Sequence, residues 1–180
     1  MPAPTTAAAV ANAFLNLQDA DRGTFPRIDP MKLQKLLFYA QAWWLAYKEP
    51  ALFDEEIYAW PWGPVVPSIY SEFRNFGSQP IVGKRATELI KTGDRIYDFR
   101  VVAPTAPPGD VLDFLSMVWG SHKHLTGIQL SNATHAPGEP WAIVKDRYGT
   151  LNNKPPIPND LIRDVFKEKI GVGNTNTTAA

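Results

Sequence analysis

The 180-residue chain contains no cysteine. That excludes a disulfide scaffold, a thiolate metal site and a cysteine nucleophile. Histidine is scarce, with three in the chain. A zinc site without cysteine needs three or four other ligands within tetrahedral reach, so no metal is expected. Net charge is missing too, because 18 basic residues balance 18 acidic ones. Nucleic-acid binders usually carry a basic excess that displaces counterions from phosphates, so no nucleic acid is expected as partner. No apolar run approaches the roughly 20 residues of a membrane span, and no membrane role is expected. The opening MPAPTTAAAV lacks the basic start and long apolar core of a signal peptide. A cytoplasmic protein is the expectation. Nucleophile elbow, phosphate-cradling glycine loop and metalloprotease motif are all absent, and with them any sign of a cofactor.

What is present is apolar and helical in period. A length of 180 residues and a hydrophobic fraction of 44% suffice for one core. We expect a single domain over residues 1–172, mainly α (α+β), built as a helical bundle around a central apolar helix with a small β-hairpin. Thr5 or Thr6 can cap a first helix ending near Asp19. Asp29-Pro30 is a strong helix start, with Asp as N-cap and Pro at the first helical position. From there Leu33, Leu36, Leu37, Ala40, Trp44 and Tyr47 recur at helical spacing, and Phe38, Trp43 and Leu45 widen the stripe. A helix apolar nearly all round belongs in the middle of a bundle. Gln34, Gln41 and Lys48 are its polar remnant, and Pro50 closes the segment.

Glu56–Trp60 reads as a short strand, and the helical period resumes at Val66, Ile69, Tyr70 and Phe73. Thr87–Ile90 can pair with Tyr97–Val101 as a hairpin. Asp110 is read as the cap of a helix ended by Gly120, and Thr126 as the cap of a short helix through Asn132. Thr134–Trp141 reads as a loop and Asn152–Pro156 as an extended linker. A last helix is expected from Asn159 to Ile170, stopped by Gly171, with residues 173–180 as a disordered tail.

Two tryptophans flank the turn Ala59–Val65. Trp60 follows an apolar run and reads as a core plug. Trp62 lies between prolines, and for it core plug and interface anchor are equally good readings. Trp60-Pro61 is a candidate cis bond. From Glu49 to Phe73 there are five acids, Glu49, Asp54, Glu55, Glu56 and Glu72, and no Lys or Arg. A solvated acidic loop is the ordinary reading of such a run. The sharper one is a docking face, with Tyr58, Trp62 and Tyr70 as anchors and Asp54, Glu55 and Glu56 as steering charges. The histidines carry less. His122 and His124 read as solvated beyond a helix end, and His135 as bonded to its own loop. The basic section Lys84–Arg100 reads as a solvated edge guarded against aggregation.

Three blocks stand in a recognisable order: MKLQKLLFYAQAW, LFDEEIYAWPWGPVVPSIYSEF and LSNATHAPGEPW. Together they resemble the Panacea domain, the SocA-like antitoxin family of bacterial and phage toxin–antitoxin systems. The resemblance covers about residues 7–141. It places Lys32, Leu33, Lys35, Leu36, Tyr39 and Ala40 in the first motif block. Ala59, Trp60, Gly63, Pro64, Val65 and Tyr70 fall in the second, and Leu130, Thr134, His135 and Trp141 in the third. What it implies is a mainly helical protein without enzymatic activity that neutralises a cognate protein toxin by direct binding, as in a type II-like system. An adaptor that delivers the toxin to a cytoplasmic protease is the alternative, and a hydrolase or metal-dependent enzyme ranks last.

Overall fold

The computed structural model describes residues 1–175 of the chain. Its helices are α1 (Ala7–Ala20), α2 (Pro30–Tyr47), α3 (Pro67–Phe73), α4 (Gly109–His122), α5 (Gly127–Thr134), α6 (Pro140–Tyr148) and α7 (Asn159–Thr175). Strands β1 (Tyr58–Trp60) and β2 (Gly63–Val65) form one small antiparallel sheet, and β3 (Glu88–Lys91) and β4 (Phe99–Val102) another. The fold is mainly α with a minor β component, as the periodicities predict.

The central helix begins where Asp29 accepts a hydrogen bond from the Lys32 backbone N–H at 2.7 Å, with Pro30 in the first turn. It ends at Tyr47, the last residue of the apolar period, with Lys48 as its C-cap. Helices α1, α3, α4, α5 and α7 all pack on α2, as does β2. Its residues from Lys32 to Ala42 are buried without interruption. Phe14 of α1, Phe38 of α2, Phe73 of α3 and Phe166 of α7 are fully enclosed. Each such side chain contributes on the order of 1.5–3 kcal/mol from apolar burial. Tyr47, expected in the buried stripe, is exposed.

Several expectations need correction. The stripe of Gln34 and Gln41 is not a polar surface: both amides are buried and bonded to backbone. Gln41 accepts from the N–H groups of Leu52 and Phe53 and donates to the Phe53 carbonyl at 3.1 Å. Helix α4 runs through Gly120 to His122, and its cap is Pro108 rather than Asp110. The segment after Thr134 is a loop only as far as Glu139, and α6 then starts at Pro140. Helix α7 continues past Gly171 to Thr175, so the stop at Gly171 fails. Residues 176–180 of the expected tail lie outside the described residues. The cis peptide bond is Glu49-Pro50, not Trp60-Pro61.

The hairpin pairs as expected, with Leu89 opposite Val101. The linker Pro155–Ile157 does more than connect. Its Pro155 carbonyl accepts from the Ala59 N–H at 2.8 Å, and the Ile157 N–H donates to Ile57 at 2.7 Å. It therefore lies alongside β1 like a third strand.

Candidate functional site

The β1–β2 turn is held by side chains from α2, α5 and α6. The Trp141 indole N–H donates to the Trp60 carbonyl at 2.7 Å. Ser131 Oγ donates to the Trp62 carbonyl at 2.7 Å. Lys35 Nζ donates to the Pro64 carbonyl at 3.2 Å. Gln34 then secures the exit, accepting from the Val66 N–H at 2.8 Å and facing its carbonyl with the amide nitrogen. Thr134 Oγ1 donates to the Ser131 carbonyl at 2.7 Å, which keeps α5 tight where it meets the turn.

Gly63 sits at φ +111, where a side chain is strained. A Cβ there would also lie 2.7 Å from Lys35 Cε and 3.0 Å from Thr134 Oγ1. Glycine is what lets the turn close down on the buried lysine. Residues from all three sequence blocks thus converge on one backbone turn. Leu130 is buried, and the His135 ring lies on Trp141 with centroids 3.8 Å apart.

Among the described residues, neither of the two motif lysines has a carboxylate in contact. Lys35 is buried, and burial pulls its ammonium down to about 7, against a smaller opposing pull from Asp29. Lys32 is buried at the other end of the first turn, where Nζ donates to the carbonyls of Pro26 and Lys123 at 2.6 Å each. Burial lowers it to about 8. Their depth was missed in the sequence. The signal for it was their position on a helix that is apolar on every side.

The expected anchors and steering charges scatter. Trp62 is 72% exposed at the tip of the turn. Trp60 is half-buried rather than a core plug. Strand alternation explains this: Ala59 points to the core, so Tyr58 and Trp60 point away. The Trp60 ring meets Tyr70 edge-on at 4.8 Å, and the Lys154 ammonium sits 4.1 Å over it. Tyr70 is 38% exposed. The Tyr58 hydroxyl donates to Glu56 at 2.6 Å. Glu55 turns inward to the α1 N-terminus, where its carboxylate accepts from the Ala7 N–H at 3.1 Å. Burial raises its pKa, against those backbone bonds. Asp54 and Glu56 remain on the surface.

Two of the histidines are also placed differently, while His124 is exposed as expected. His122 is in the last turn of α4, half-buried against Tyr39 at 4.7 Å. The His135 backbone N–H donates to Asn132 at 3.1 Å, but its Nε2 is buried without a partner among the described residues. Among the described residues, no group of three or more His, Asp or Glu is placed to hold a metal ion. No helix among them is long and apolar enough to cross a membrane.

Comparison with known proteins bears on this turn directly. The family described as antitoxin SocA-like, Panacea domain, matches residues 33–142, which include every side chain that holds the turn. A curated relative, Antitoxin SocA of Caulobacter vibrioides (strain NA1000 / CB15N), is 31% identical over 173 residues, covering 95% of this chain and 88% of the relative. No solved structure matches. By the family match and by the near full-length relative, the chain belongs to the SocA-like antitoxin family with a Panacea domain.

Proposed function

We propose that this chain is a binding protein, not an enzyme, that neutralises a cognate toxin by direct contact in a type II-like system. One observation carries the reading: a tryptophan held out to solvent on a turn whose backbone is pinned from three helices. An exposed large aromatic on a rigid support loses little conformational freedom on binding, and tryptophan is the residue most enriched at interface hot spots. The half-buried Trp60–Tyr70 pair forms a firm apolar shelf beside it. Asp54 and Glu56 supply the steering charge, so their reversal slows association and flattens its salt dependence. Glu55 has a separate task at α1.

The test starts from a neighbouring reading frame that stops growth when expressed alone and is rescued by this chain. Purified toxin binds the wild type in a stoichiometric complex. Trp62→Ala leaves the circular dichroism and melting of the free protein unchanged. It weakens toxin binding by about 2 kcal/mol or more, roughly thirtyfold, as measured by calorimetric titration. Wild-type affinity in that variant removes Trp62 as the anchor. A toxin that makes no complex, and whose level falls only when a cytoplasmic protease is present, points instead to delivery for degradation.

A further inference from the structure

An open groove of about 960 Å³ runs between α2, α4 and α5. Trp43 and Tyr47 form one wall, Phe114 and Met117 the other, and Leu125 and Ala133 close the end. Tyr47 and Met117 are each about two-thirds exposed, unusual for such side chains facing one another across a hollow. We infer that this groove is a second docking surface for the toxin, and that it receives an amphipathic helix bearing a basic residue. The inference rests on the direct-binding reading above.

The choice of a helix follows from the walls. All three are helices, so their backbone groups are already bonded internally. An extended segment would find no strand edge to pair with, whereas a helix arrives with its own backbone satisfied. Along α2 the groove spans Tyr39 to Tyr47, about 12 Å at 1.5 Å per residue, which suits anchors at i, i+3 or i+4, and i+7.

The choice of a basic residue follows from the rim. Lys48 is already committed: its ammonium lies 4.5 Å over the Trp44 ring and 3.5 Å from Asp110. Asp113, one turn further along α4, has no ion pair among the described residues. His122 adds no positive charge to oppose it, since burial lowers its pKa. Its Nδ1 lies 2.7 Å from the Val118 carbonyl, so that nitrogen carries the proton and Nε2 is left as an acceptor. The groove therefore offers apolar walls, one acceptor on its floor and one unspent carboxylate on its rim.

The decisive experiment titrates the rescued toxin, and overlapping 15-residue peptides made from it, into wild type, Met117→Glu, Asp113→Lys and Trp62→Ala. Met117 is exposed, so its variant keeps the wild-type circular dichroism. The expected result is at least tenfold weaker toxin binding for Met117→Glu and a several-fold loss for Asp113→Lys. The Asp113→Lys loss is recovered by reversing one Lys or Arg in the toxin segment whose peptide binds. Unchanged affinity in both groove variants, with Trp62→Ala still weakened, overturns the groove and leaves direct binding standing. Self-association of the free protein that Met117→Glu abolishes, with toxin binding intact, assigns the groove to a second copy and overturns the proposal. A toxin that binds none of the four proteins overturns both readings.

Discussion

A lysine without a carboxylate partner in a protein interior is costly when charged, and Lys35 is such a residue. Its amine still serves, because it supplies the hydrogen that the Pro64 carbonyl needs and so closes the turn. The cost should appear in the pH dependence of stability. In the unfolded chain the amine keeps its proton to near 10.5, while in the folded protein burial brings release down to about 7. Between those values the unfolded state binds more protons, so stability rises with pH and is least below 7. Lys32, released at about 8, acts in the same direction from a higher starting point. Urea unfolding at constant ionic strength should therefore show stability climbing from pH 7 to 9, by up to about 1.4 kcal/mol per unit for each lysine. Lys35→Met should flatten the lower half of that rise and leave the part due to Lys32. A wild-type profile that is flat or falls across this range is incompatible with buried, deprotonating lysines. The same residue shows why the candidate site was only half legible. Its presence in a motif and its place on an all-apolar helix could be read, but the folding of β2 over it could not, because no local pattern announces that contact.

At the scale of elements, α2 is both the core and the scaffold for the irregular segments. Gln41 holds the approach to β1 and Gln34 holds the exit from β2, seven residues apart on one face of the helix. Each replaces by one side chain the backbone partners that a regular strand would have had. Gln41→Leu fits the space but leaves the Leu52 and Phe53 N–H groups and the Phe53 carbonyl without partners. We expect a loss of about 2–4 kcal/mol, or a melting point lower by roughly 5–15 °C in calorimetry. A drop within about 2 °C would mean that water reaches these groups and that the segment is not clamped. Helix α2 and both hairpin strands were legible because their apolar periods are strong and their starts carry Asp-Pro or turn residues. Helix α6 was not, because it begins inside a Gly- and Pro-rich loop and buries only Pro140, Trp141 and Val144. The extensions of α4 through Gly120 and of α7 through Gly171 override glycine's usual stop. In α4 the added turn is secured by the stacking of His122 on Tyr39.

For the molecule as a whole, the decisive fact is that most elements share one partner. Helices α1, α3, α4, α5 and α7 each pack on α2, so none can leave without exposing its face. The β3–β4 hairpin is not among them. Its strands bond to each other, and Leu89, Tyr97, Phe99 and Val101 are exposed. Among the described residues, hydrogen bonds tie it to the rest of the fold at its base, by Asn12 to Ala86, Thr6 to Glu88 and Thr87 to Glu72. Apolar residues kept in solvent at this density serve contact better than folding. The two regions should therefore differ in how they open. Amides of Leu33–Ala46 should exchange with deuterium only through global unfolding, and follow the full unfolding free energy as urea is added. Amides of Glu88–Lys91 and Phe99–Val102 should exchange through local opening, several kcal/mol cheaper and insensitive to low urea. Hydrogen-exchange mass spectrometry reads both from one sample. Equal protection of hairpin and central helix would show the hairpin to be part of the cooperative core, and would remove the argument that its apolar face is free for a partner.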